Sequence, residues 1–249
     1  MIEVTYQQHV GSDITVVNAA RVSFGKKSRY YYGDEAEIAA DFYKEWEYPT
    51  FMLSEDVKLI NYLAKHNHKS PFNHCFITFH VKAPIFVARQ LQKHEYMPWN
   101  EISRRYVDSE PEFYQPDVWR GRSEDKKQGS SDEVITELED ARWEEYHQFE
   151  VDRYNIHRSI SECYQKYLKF YDLLIRNDVA PEQARMVLPQ SMMTEWYWSG
   201  SVHAFAKMCS LRLKPDAQYE TRLVAEQIED KMTELFPESW TALRAYDDT

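Results

Sequence analysis

The sequence predicts an α+β fold, a single domain over residues 1–249 in which a mixed sheet packs against helices. Three observations predict it. Short β-branched or aromatic stretches occur near the N-terminus, near residue 78 and near residue 196. Between them lie segments whose apolar residues recur at spacings of three and four. No internal repeat and no interdomain linker divides the 249 residues, a length that supports a substantial core.

Residues 2–6 and 14–17 carry β-branched side chains and are expected as short strands. Ala19 to Gly25 follows as a small-residue segment ending in a turn. Residues 26–50 are tyrosine-rich and charged, and are expected as an insertion with a short helix over 35–46. Ser54 is expected to cap a helix with Glu55 and Asp56 in its first turn, and Val57, Ile60 and Ala64 on one face beside Leu63. His66 to His74 is a polar loop with three histidines. Its spacing would permit a metal, yet no metal site is expected there.

Cys75 to Val81 alternates and is expected as a strand. Pro84 suits the opening of the next helix, with Ile85, Ala88 and Leu91 inward and Arg89, Gln90 and Lys93 at its far end. Residues 120–133, rich in Gly, Ser and charge, are expected as an exposed loop. Two helices follow, the second with Ile160, Cys163, Tyr164, Tyr167, Leu168, Tyr171, Leu174 and Ile175 on one stripe, a pattern of core or subunit interface. Pro181 begins a short helix with Glu182, Ala184 and Arg185. Thr194 to Trp198 is expected as a strand and Gly200 as a turn. Ser201 to Leu211 is expected as a helix, with Val202, Phe205, Met208 and Cys209 inward, ending at Arg212. A turn at Lys214–Asp216 leads to a long helix from Ala217 to Phe236.

The totals exclude several functions. Net charge is −11, which disfavours a nucleic-acid binder, so an anionic substrate needs a local basic pocket. Neither the Gly-x-Gly-x-x-Gly pattern nor a P-loop occurs, arguing against those nucleotide sites. Cys75, Cys163 and Cys209 are odd in number and far apart, which fits a reducing, cytoplasmic compartment. Neither a signal peptide nor a membrane span is evident.

The stretch Arg89 to Tyr106 gathers Arg89, Gln90, Lys93, His94, Glu95, Asn100, Glu101, Ser103, Arg104 and Arg105 just past an apolar run. Arg offers a planar fork to phosphate, and Ser and Gln add neutral hydrogen bonds. By composition alone a solvated helix end explains the stretch equally well.

Several segments together resemble the flavin-dependent thymidylate synthases. That family's signature is Arg-His-Arg, seven variable residues, then Ser; here Lys93-His94-Glu95 precedes Asn100-Glu101-Ile102-Ser103-Arg104-Arg105-Tyr106 with the spacing to Ser103 intact. Ala19–Phe24, His68–His74, Ala83–Gln90, Ala184–Pro189, Leu211-Arg212 and Ala217–Glu220 match further family segments in order. Both arginines of the triplet are replaced, Lys207 stands where the family commonly has Asn, and the local sequence is similar to divergent, phage-type members.

The resemblance implies transfer of the methylene of 5,10-methylenetetrahydrofolate to C5 of dUMP and its reduction by FADH2, recycled by NADPH, to give dTMP. It implies that Gln90, Lys93, Glu101, Ser103, Arg105, Arg185 and Arg212 hold dUMP, with Arg212 the catalytic residue against the uracil ring. His68, Ser70, Lys93, His94, Glu101, Ser201, Val202, His203 and Lys207 are implied for FAD. A homotetramer is implied, without nucleic-acid or membrane partners, in the host cytoplasm if phage-encoded. Structural alternatives are an Arg212–Glu220 salt bridge and a helix-end role for Arg185. Functional alternatives are a pyrimidine-nucleotide C5 hydroxymethylase and a non-catalytic nucleotide- or flavin-binding relative.

Overall fold

The computed structural model describes residues 1–32, 50–107, 109–124, 129–138, 152 and 154–246. The expected helix over 35–46, and the first of the two helices expected after the 120–133 loop, fall largely or wholly outside the described residues.

Strand β1 (Glu3–Val10) leads to helix α1 (Asp13–Arg21). This corrects the expected strand at 14–17. Four consecutive β-branched residues, Ile14 to Val17, favour a strand by propensity, yet two effects override it. Thr15 Oγ1 accepts the Ser12 N–H at 3.1 Å while the Ser12 carbonyl accepts the Thr15 N–H at 2.8 Å, closing the first turn. Val16 and Val17 are fully buried, so packing offsets the cost of the stiff side chains.

Strands β2 (Tyr31–Tyr32) and β3 (Thr50–Phe51) form a separate antiparallel pair. Helix α2 (Ser54–Lys65) follows with Leu53, not Ser54, at its N-cap position. Asp56 is buried and holds Arg21 through Oδ1 at 2.6 Å, so this inward carboxylate has its charge partner.

Strand β4 (Phe76–Pro84) is the spine of the molecule. Ile77, Phe79, Val81 and Ala83 are fully buried, and the intervening Thr78, His80 and Lys82 lie on the half-exposed face. It pairs with β1 on one side and with β8 (Met193–Ser201) on the other; β8 pairs in turn with β5 (Trp99–Glu101). The order is β1-β4-β8-β5 and every pairing is antiparallel, so the sheet is not mixed in direction as expected. Gly200 lies inside β8 rather than in a turn. A Cβ there would stand 2.9 Å from Met97 Cε and 3.2 Å from Phe205 Cε2, so close packing and not chain reversal requires glycine.

Pro84 ends β4 and serves as N-cap of α3 (Ile85–Leu91). Val87, Ala88 and Leu91 face the core, whereas the expected Ile85 is only half-buried. Instead of a plain exposed loop, the described parts of 120–133 form a hairpin of β6 (Arg120–Arg122) and β7 (Ser130–Val134). Helix α4 (Ile156–Arg176) carries the expected stripe, yet of its residues only Ile156, Ser159 and Tyr171 are buried. The short α5 (Pro181–Ala184) runs into a 3-10 turn at Arg185–Val187.

Helix α6 (Val202–Arg212) puts Val202, Phe205, Met208 and Cys209 into the core as expected, and α7 (Tyr219–Leu235) adds Val224 and Ile228. A final helix, α8 (Pro237–Ala245), has no counterpart in the sequence expectations. Buried Asp13 accepts the Glu238 and Ser239 N–H groups at 3.0 and 2.9 Å, capping its first turn from 225 residues away in sequence. Phe79, Trp198 and Phe205 meet edge-to-face at the centre of the one core these elements share.

Candidate active site

Helix α6 runs along the core and ends on Arg212, where a cation suits the negative end of the helix. The core-facing α3 ends close by, and the chain then turns outward through His94. Arg212 Nε lies 3.2 Å from His94 Nε2, and Nη2 donates to the Gln90 carbonyl at 3.0 Å. Two donors of one rigid fork are thus held by two acceptors.

The protonation of His94 follows from this packing. Burial, then the positive charges of Arg212 and Lys207, push it down to about 4. At neutral pH its ring is uncharged and Nε2, facing a group that can only donate, is the acceptor. Burial also lowers Arg212, whose guanidinium keeps its charge.

A polar chain continues from Gln90. Its Oε1 accepts Thr221 Oγ1 at 3.3 Å and its Nε2 donates to Gln218 Oε1. Gln218 Nε2 donates to Glu220 Oε2 at 3.1 Å, and Glu220 Oε1 accepts Arg120 Nη2 at 2.7 Å. Glu220, the alternative partner for Arg212, is therefore taken by Arg120.

On the other side of Lys207 lies a cleft of about 200 Å³ whose charged lining is Lys69 and Lys207, with His68 and His203 beside them and no carboxylate among the lining residues. His203 is lowered by burial and by both lysines, a sign of uncompensated positive potential. In a chain of net charge −11 this is a local concentration of positive charge. His68 also stacks on Tyr62 with ring centroids 6.0 Å apart.

The other expected residues are distributed as follows. Ser201 is buried at the N-cap of α6, where its hydroxyl accepts the Ala204 N–H at 3.2 Å and donates to Asn73 Oδ1 at 2.7 Å. Val202 has its side chain in the core, as the helix pattern predicts, and its N–H donates to the Cys75 carbonyl at 3.1 Å. Ser70 is exposed at the start of the Pro71–His74 turn. Lys93 and Glu95 are exposed on either side of half-buried His94. Glu101, on edge strand β5, accepts Thr194 Oγ1 at 2.7 Å and Trp99 Nε1 at 3.1 Å. Ser103 Oγ accepts the Arg105 N–H at 3.3 Å.

Arg105 and Arg185 both converge on Glu182. Arg105 Nε is 3.6 Å from its carboxylate, and Arg185 Nε donates to its carbonyl at 3.4 Å. Among the described residues no hydrogen bond or ion pair joins this exposed group to Arg212. Sequence reasoning gives no role to Lys69, Gln218, Thr221 or Glu182. Lys69 and Gln218 lie in segments that match the family, whereas nothing in the sequence marks Thr221 or Glu182.

Comparison with known proteins places this arrangement. The family model described as thymidylate synthase complementing protein matches residues 5–238. A flavin-dependent thymidylate synthase of Thermus thermophilus is 34% identical over 237 residues, covering 95% of this chain and 73% of that protein. One of Thermosipho africanus is 35% identical over 232 residues, covering 93% and 85%. Among solved structures, the UMP/dUMP methylase PolB from Streptomyces cacaoi, bound with 5-Br dUMP, superposes with a TM-score of 0.73 at 30% identity, over 99% of this chain and 96% of that one.

Proposed function

The chain belongs to the family of flavin-dependent thymidylate synthases, and from that premise we propose that it converts dUMP to dTMP with 5,10-methylenetetrahydrofolate as carbon donor. The observation that carries the reading is Arg212, fixed at two points by neutral His94 and the Gln90 carbonyl. A guanidinium held this way can face a uracil carbonyl and stabilise negative charge developing on the ring without reorganising.

The cysteines support electrostatic activation over an enzyme thiolate. Burial raises the Cys75 thiol to about 12 and raises that of Cys209 as well, and Cys163 sits half-buried on α4. Nucleophilic attack needs the thiolate, which burial of Cys75 and Cys209 suppresses.

The cationic cleft fits a flavin dinucleotide by its donor set, two lysines and two imidazoles without a carboxylate. His68, Ser70, Lys93, His94, Glu101, Ser201, His203 and Lys207 would hold FAD, with Val202 contributing the start of α6 and not its side chain. Bound reduced FAD supplies hydride for the transferred carbon, and NADPH renews it. Gln90, Lys93, Glu101, Ser103, Arg105, Arg185 and Arg212 would hold dUMP, the arginines taking phosphate and ring oxygens. The exposure of Arg105 and Arg185, both gathered on Glu182, supports assembly of the site from more than one chain of a homotetramer. So do Tyr167, Phe170 and Leu173 on α4, which are 39%, 49% and 55% exposed.

The test is release of tritium from 5-tritiated dUMP with methylenetetrahydrofolate, NADPH and FAD, with the nucleotide product identified. The expected product is dTMP. A hydroxymethyl product would reassign the reaction, and absence of both flavin binding and release in folded protein would refute it. UMP is assayed in parallel, since the similar PolB is a UMP/dUMP methylase.

A further inference from the structure

A second cavity, of about 520 Å³, is lined in part by the Gln218–Glu220 segment and not by Arg212. Its walls include Phe86, Tyr114, Trp119, Tyr164 and Tyr219, residues from four separate segments. No site residue expected from the sequence lines it.

One wall is built by the β6–β7 hairpin, which is held down in three ways. Arg120 Nε donates to Ser130 Oγ at 2.9 Å across the hairpin. Arg120 Nη2 reaches Glu220, and its guanidinium lies 4.2 Å from the Tyr219 ring centroid. At Gly129 the backbone has φ +85°, and a Cβ would stand 2.9 Å from the Asp216 carbonyl oxygen. Only glycine lets the hairpin sit this close to the Lys214–Asp216 turn.

The chemistry of the walls selects a ligand. Arg120 and Glu220 are the charged residues of the lining, and they neutralise each other at 2.7 Å. Glu220's second oxygen is taken by Gln218. Among the described lining residues, therefore, no charge is left free for a phosphate, carboxylate or ammonium group. The cavity offers aromatic faces instead, Trp119 and Tyr219 among them, and the phenol of Tyr114, which burial together with Glu220 raises so that it stays protonated and can donate. The volume lies within the range of small-molecule pockets, about 300–1,000 Å³.

We propose that this cavity is a second binding site, distinct from the Arg212 site, for an uncharged planar heteroaromatic ring bearing carbonyl acceptors, the chemistry of a pyrimidine nucleoside. Such a ring stacks on the aromatic walls and presents a carbonyl to the Tyr114 phenol.

The probe is thymidine, measured by equilibrium dialysis on the full chain with and without saturating dUMP. The expected result is one thymidine per chain, undiminished by dUMP. Trp119→Leu, which removes a stacking face, should weaken binding about tenfold. Ser191→Met, which fills the cavity from another wall, should do the same with far-UV circular dichroism unchanged and keeps the test valid if Trp119→Leu fails to fold. No binding at millimolar thymidine, displacement by dUMP, or unchanged affinity in both folded variants would overturn the proposal. None of these readouts depends on thymidylate synthase turnover.

Discussion

Acidification should undo the Arg212–His94 contact, and the size of the effect follows from the structure. His94 in the folded chain is held down to about 4, against an ordinary value of 6.5. Protonating it removes the acceptor for Arg212 and sets two cations 3.2 Å apart. As pH falls below 6.5 the unfolded chain takes up this proton while the folded chain does not, so stability drops. The loss levels off once pH passes about 4, where the folded form is protonated too. At about 1.4 kcal/mol per unit the gap corresponds to roughly 3 kcal/mol, fully retained at neutral pH and lost between about 6.5 and 4. The perturbation is His94→Gln, whose amide oxygen can still accept from Arg212 but does not titrate. Other groups titrate in both proteins and cancel in the difference. Urea unfolding followed by circular dichroism at a series of pH values from neutral to acid should show wild type losing about 3 kcal/mol more than His94→Gln. A stability difference that stays constant with pH would mean that His94 titrates alike in both states, and the neutral-acceptor argument would fall.

Arg212→Ala should abolish turnover, by at least about 10²–10³-fold in kcat, while flavin affinity changes only a few-fold, since the cationic cleft is lined by other residues. Steady-state assay and flavin titration separate the two, and normal turnover would remove Arg212 from the mechanism. Gly11→Ala should destabilise the fold by about 1–3 kcal/mol, because φ is +89° there and the new Cβ would lie 2.7 Å from Cys75 Sγ. Thermal unfolding measures it, and an unchanged Tm would show that β1 and Cys75 can move apart.

What can be read from the sequence depends on how local its cause is. The alternation around Phe79 and the stripes of α4 and α6 are written in neighbouring residues, and both kinds of element form where periodicity puts them. The Asp13–Arg21 helix escapes a sequence reading because its β-branched run argues for a strand, while the forces that win are a capping interaction and burial in a distant core. Gly200 escapes it because its reason is Met97 and Phe205, residues of other segments. The Arg120–Val134 hairpin is short and polar, and its anchor is Glu220, 100 residues on. The capping of α8 by Asp13 is likewise invisible to any window of sequence.

The same contrast governs the site. Residue types in the Arg89–Tyr106 stretch suggest phosphate binding, and the family resemblance adds the flavin and Arg212, but partners separated by 118 residues cannot be assigned by inspection. Charge alone proposes Glu220 for Arg212; packing gives Arg212 to an uncharged imidazole and Glu220 to Arg120. That exchange bears on the altered triplet. Lys93 and Glu95 are exposed, while His94 is half-buried and makes the contact to Arg212. The substitutions therefore fall on the two positions with the least to hold within one chain, and the retained member is the one that fixes the guanidinium. A carboxylate at position 94 in place of imidazole would pair with Arg212 and neutralise the charge that the ring chemistry needs. A neutral acceptor holds the fork in place and leaves its charge for the substrate.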